Sequence, residues 1–215
     1  MLTVVIGAVP GTDAIGPTWK GFGKALRNVM EFQRRRSEAW RTVQAIAWLE
    51  VDAVLGADVP RLKPIKTAQF AEIGPLSYRL NDPVWWVTCH GLIDSGEVGL
   101  DRVERALKDH WHGTRQLHLV RLHRNRTKEA NIKQVASYAL KHRHKTELAD
   151  RTMTWPIEWV AEYHNWLGSW SRGFQSVKLS INPSRFDIVD RPVVISEEVE
   201  PMPFEHSVST FTMIY

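Results

Sequence analysis

A single cysteine, Cys89, stands in 215 residues. That scarcity excludes an intramolecular disulfide and any zinc site built from paired cysteines, and it suits a reducing cytoplasm, the expected compartment. No stretch reaches the roughly 18 consecutive apolar residues of a membrane span, and the apolar opening at 1–9 lacks a basic leader. Neither an export signal nor a membrane anchor is expected. Internal repeats and low-complexity tracts are missing too. What remains is a composition of 43% hydrophobic and 24% charged residues, that of a soluble chain with a real core. The length suits one domain with a short appendage, divided as 1–150 and 151–215.

The formal net charge of +4 conceals two unlike regions. Residues 115–145 carry Arg115, Arg121, Arg124, Arg126, Lys128, Lys133, Lys141, Arg143 and Lys145 against Glu129 alone. Between 185 and 205, Arg185 and Arg191 face Asp187, Asp190, Glu197, Glu198, Glu200 and Glu205. A polyanion such as nucleic acid is the natural partner for the first region, and a solvated helix face is the plain alternative.

The β-branched run at 2–9 ends in Pro10-Gly11 and reads as a strand. Trp19, Phe22, Leu26, Val29 and Met30 recur at helical spacing before Arg34-Arg35-Arg36. Strands are expected at 42–54, 84–93, 116–123 and 177–181, with a short one near 68–73. Helices are expected around 100–111, from 128 to about 148, and from 154 to about 170, where Thr154 is a cap and Pro156 lies in the first turn. The leading β-α-β-β-α-β order is the split ferredoxin-like arrangement, α+β, with an antiparallel sheet, helices on one face and the other face free for a ligand.

On 84–93, Trp86, Thr88 and His90 point one way and Val87 and Cys89 the other; on 42–54, Glu50 and Asp52 oppose Leu49 and Val51. If the strands pair with these faces aligned, carboxylate and imidazole can hold Mn²⁺ or Mg²⁺. Alternatively His90 is a histidine hydrogen-bonded within a sheet. On the helix from 128, Asn131, Gln134, Tyr138, Lys141 and Lys145 share one face and Ile132, Val135, Ala136, Ala139 and Leu140 the other, so Tyr138 lies off the apolar stripe with a cation one turn away. His110-Trp111-His112 falls at a helix end, where residues two apart diverge, and is read as a decoy. His142 and His144 are expected to meet solvent or phosphate, and become reserve ligands if the helix ends early.

Four segments, in order, resemble the rolling-circle replication initiators, the Rep proteins of the HUH endonuclease superfamily of plasmids and phages. They are Leu2-Thr3-Val4-Val5-Ile6, Leu49-Glu50-Val51-Asp52, Thr88-Cys89-His90-Gly91-Leu92-Ile93 and Ser137-Tyr138-Ala139-Leu140-Lys141. The resemblance spans roughly 1–146 and implies metal-dependent nicking and joining of single-stranded origin DNA. Tyr138 would be the nucleophile, forming a 5′-phosphotyrosine, with Lys141 beside it. Glu50, His90 and Asp52 would hold the cation, and Arg121, Arg124, Arg126, Lys133 and Lys145 would track the DNA backbone. A host helicase and replication machinery are the further partners it implies. The chain departs from the family at Thr88, where a second motif histidine is normal. Three consequences stay open: Asp52 completes the site, metal affinity is weakened, or catalysis is lost and a DNA- or RNA-binding module remains.

Ten tryptophans are many for this length. Trp85 and Trp86 are candidate stacking platforms for unpaired bases, with core packing the plainer role. Trp155, Trp159, Trp166 and Trp170 form a stripe expected to be a hydrophobic seam.

Overall fold

A computed structural model describes residues 1–73, 77–113, 115–122, 125, 127–140, 144–170 and 176–182, apart from the side chains of 128, 136 and 138–140. Strand β1 (Leu2–Val9) is followed by helix α1 (Ile15–Arg36), β2 (Gln44–Leu55), α2 (Pro64–Glu72), β3 (Pro83–Asp94), α3 (Leu100–Lys108) and β4 (Leu117–Leu119). Then come α4 (Lys128–Leu140), a pair of short strands β5 (Lys145–Glu147) and β6 (Thr152–Thr154), α5 (Ile157–Trp170) and β7 (Lys178–Ile181). The class is α+β. Five strands form one antiparallel sheet in the order β4-β1-β3-β2-β7, and β5 pairs with β6 separately.

The two-residue period of β2 sorts its side chains. Ala45, Ala47, Leu49, Val51 and Ala53 are buried, while Ile46, Trp48, Glu50 and Asp52 are half-buried on the opposite face. Helix α1 lays Ile15, Trp19, Phe22, Leu26 and Met30 on the first of these faces, at the spacing its sequence carries. Its last turn holds three arginines where the helix dipole favours cations. One of them, Arg34, donates to the carbonyls of Val43 (3.2 Å) and Asn182 (2.7 Å) and so ties the helix end to the start of β2 and the end of β7. Val103 and Leu107 of α3 and Tyr163 and Trp166 of α5 join the same core.

The structure corrects several expectations. Residues 68–73 fall mostly in α2 rather than a strand, because Pro64 at its start fixes a helical φ and costs no hydrogen bond there. Phe70 of α2 packs on Trp86, with ring centroids 5.2 Å apart, so helices cover both faces of the sheet, not one. The strand expected at 116–123 is confined to Leu117–Leu119. The helix expected to reach about 148 is described over Lys128–Leu140, and Lys145–Glu147 is a strand instead, with the Thr146 hydroxyl held by the tertiary partners Asp52 and Trp155. Nor is the segment after 150 an appendage: β7 pairs with β2 from Ala45↔Ile181 to Trp48↔Lys178, and Trp155, Tyr163 and Trp166 are core residues. The tryptophan stripe is a seam against that core, with Trp159 and Trp170 partly buried along it. The acidic tail at 185–205 lies outside the described residues. Among the described residues no helix is long and apolar enough to cross a membrane.

Candidate functional site

Register brings the polar residues together. Across β2 and β3 the pairs are Trp48↔His90, Glu50↔Thr88 and Asp52↔Trp86, and across β1 and β3 Thr3 pairs with His90 and Val5 with Thr88. Paired residues project to the same side of a sheet, so Thr3, Glu50, Asp52, Thr88 and His90 share the face opposite the main core. Gly91 permits the close strand approach just after His90: a Cβ there would stand 2.5 Å from the Ile46 carbonyl oxygen.

His90 is held from two sides. Its Nε2 is 2.5 Å from Glu50 Oε2, and its Nδ1 is 3.1 Å from the Thr3 hydroxyl. Both the imidazole and the carboxylate are largely buried, at 16% and 27% side-chain exposure, which strengthens their electrostatic coupling. The sheet-histidine and metal-ligand readings thus meet in one pair, whose two donor groups can converge on a cation. Asp52 is engaged otherwise. Lys66 of α2 donates to its Oδ2 at 2.5 Å, while the Ala53 N–H (2.9 Å) and the Thr146 hydroxyl (2.7 Å) meet Oδ1. That carboxylate ties α2 and β5 to β2. Thr146 also contacts the Ala53 carbonyl and accepts from the Trp155 indole N–H at 2.9 Å. Among the described residues no group of three or more His, Cys, Asp or Glu side chains is arranged to hold a metal ion; Glu50 and His90 fit two positions of such a site.

Glu50, Asp52, Thr88 and His90 line a cleft of about 880 Å³, with Thr3, Lys66, Trp86, His144, Lys145 and Glu147 among its other walls. Lys145 reaches this cleft from β5, not from the tyrosine helix. Helix α4 lies against β3 and β2. Its described buried residues include Val135, as the apolar stripe predicts, but also Asn131 from the polar face, whereas Ile132 of the stripe is 39% exposed. The Tyr138 side chain itself, and the whole of Lys141, lie outside the described residues, as do Arg124, Arg126 and His142. Arg121 and Lys133 are exposed, and Arg121 stands 4.0 Å from Asp101.

Trp85 and Trp86 are both buried, so neither is an open stacking platform. His110 and His112 flank the buried Trp111 on the surface, away from the cleft lining. Cys89 is fully enclosed, and burial pushes its thiol far up, which makes it a packing residue rather than a nucleophile. The sequence reading also missed Tyr163 and the His144–His164 pair. Tyr163 is pushed up to about 12, first by burial and then by the Glu50 charge, so its phenol stays protonated close to that carboxylate. His144 and His164 meet with Nε2 atoms 3.1 Å apart, and burial, then the charge on His164, lower the pKa of His144. Tyr163 lay on the tryptophan stripe, between Trp159 and Trp166, and that pattern was its only signal. No family model matches this chain, and neither does any curated protein or solved structure.

Proposed function

We propose that the protein is a rolling-circle initiator of the HUH endonuclease kind, acting in the cytoplasm as a metal-dependent nickase and strand transferase on single-stranded origin DNA. The observation that carries this is the convergence of Glu50 and His90 at 2.5 Å on one polar sheet face, inside a cleft near a helix that bears Tyr138. The strand order β4-β1-β3-β2, with α1 between β1 and β2 and α3 between β3 and β4, also agrees with a ferredoxin-like scaffold, to which α2 and β7 are added.

Glu50 and His90 would hold an Mn²⁺ or Mg²⁺ ion, which would polarise the scissile phosphate and stabilise charge on its non-bridging oxygens. Thr3, hydrogen-bonded to Nδ1, orients the ring so that Nε2 faces the carboxylate. The Tyr138 phenol oxygen attacks phosphorus, the bond to the 3′ oxygen breaks, and that oxygen leaves as a 3′ hydroxyl after taking up a proton. A phenol titrates near 10, so attack at neutral pH needs positive charge nearby, the role given to Lys141. Lys145 at the cleft and the exposed Arg121 and Lys133 would meet backbone phosphates, with Arg124 and Arg126 extending that path. Incubation with single-stranded origin DNA and Mn²⁺ tests this: wild type forms a covalent adduct and Tyr138→Phe forms none. An undiminished adduct in the variant removes Tyr138 from the mechanism.

Thr88 in place of a second histidine, together with Asp52 committed to Lys66, favours one competing reading, a non-catalytic DNA- or RNA-binding module. It predicts salt-sensitive binding with no adduct under any divalent ion, and metal-dependent scission by the purified protein would eliminate it.

A further inference from the structure

Two histidines far apart in sequence meet at the rim of the cleft. His144 stands just before β5, and its backbone carbonyl accepts from the Trp155 N–H at 2.9 Å. His164 projects from the second turn of α5, where its ring packs edge-on against Tyr163, with centroids 5.5 Å apart. Both rings are therefore mounted on backbone that is fixed by other contacts. Their Nε2 atoms face each other at 3.1 Å.

That separation has a second meaning besides a hydrogen bond. Zinc-type ions bind imidazole nitrogen at about 2.0–2.1 Å, which puts two nitrogens on one ion roughly 2.9 Å apart at a right angle and roughly 3.4 Å apart at the tetrahedral angle. The observed spacing falls inside this range. The geometry points to a two-histidine site for a borderline divalent transition metal of the zinc type, formed by His144 and His164 and distinct from the Glu50–His90 pair.

Binding would replace the inter-ring hydrogen bond. Each ring then carries its single proton on Nδ1 and offers the Nε2 lone pair to the ion, so no net proton need be released. Two imidazoles leave tetrahedral positions open to water or to an oxygen ligand entering the cleft, of which His144 is a wall. Imidazole donors favour zinc, cobalt, nickel and copper over magnesium, whereas a carboxylate-bearing pair such as Glu50–His90 accommodates the harder ions. The site stands independently of the proposed nickase activity.

Co²⁺ added to the full chain tests it through visible d–d absorption, with displacement by Zn²⁺ as the second readout. A single equivalent is expected to develop the absorption. His164→Ala, at an exposed position, and His144→Ala should each weaken binding at least about tenfold, equivalent to about 1.4 kcal/mol, while His110→Ala, outside the cleft, leaves it unchanged. Absence of the absorption in wild type, or its persistence at full affinity in both histidine variants, overturns the site. Loss only in His90→Ala assigns the metal to the sheet pair instead and likewise overturns it. None of these readouts requires DNA, so failure here and failure of the nickase reading are distinguishable.

Discussion

The two faces of β2 and β3 are made from alternate residues of the same strands, yet they hold unlike chemistry. Leu49, Val51, Trp85, Val87 and Cys89 form a continuous apolar layer under the helices, with Trp85 stacked against Tyr163 and edge-on to Trp155. One residue along, Glu50, Asp52, Thr88 and His90 form a polar wall in which His90 is held by Glu50 and Thr3 and Asp52 by Lys66 and Thr146. The first face gains from removing surface from water. On the second, buried polar groups are tolerated because they are paired, and a pairing that holds an imidazole against a carboxylate beside open space is a place for ligands. Stability and chemistry are thus separated by a single step along the chain.

The sharpest way to break this contrast is to truncate the apolar face. Trp85→Ala should lower unfolding stability by about 3–5 kcal/mol in a urea titration, since it removes a fully buried indole and leaves a cavity. His90→Ala is its counterpart on the other face: DNA adduct formation is expected to fall about 10–100-fold, with stability changing by no more than about 1.5 kcal/mol. Equal losses of stability in the two variants would mean that the polar wall is simply more core.

A smaller effect sharpens the comparison at the cleft rim. Because burial and His164 lower the pKa of His144 in the folded chain, the unfolded chain takes up a proton first as pH drops. The contribution is neutral above the unfolded value of about 6.5 and turns destabilising as pH falls through it toward the lowered folded value. Unfolding midpoints measured from about pH 7.5 to pH 5.5 should therefore fall less steeply in His144→Gln than in wild type. An unchanged slope would show that this ring does not contribute to the acid sensitivity.

Much of the apolar face was legible because it depends on period alone. Ile15, Trp19, Phe22, Leu26 and Met30 follow the 3.6-residue repeat, and Leu49 and Val51 against Glu50 and Asp52 follow the two-residue one. Glu50 and His90 were also visible as like-facing residues on two strands. The pairing of Asp52 with Lys66 was not legible, because Lys66 sits on a helix where the sequence pattern suggested only a short strand near 68–73. Asn131 was assigned to an outward polar face, but it is buried; hydropathy along a helix does not say what the helix packs against. His144 lines the cleft just before β5, where Thr146 meets Asp52 and Trp155, contacts that no local pattern announces.

By itself the sequence determined the elements whose patterns repeat locally: the strand faces, the amphipathic α1, and the tryptophan seam. Strand register, the seating of Glu50 against His90, the diversion of Asp52 to Lys66 and the meeting of His144 with His164 were decided only by tertiary structure. The physical reason is range. Periodicity acts through covalent geometry over a few residues, whereas a hydrogen bond or ion pair between β2 and α2, or between β5 and α5, forms only after packing has brought distant backbone segments within about 3 Å of contact.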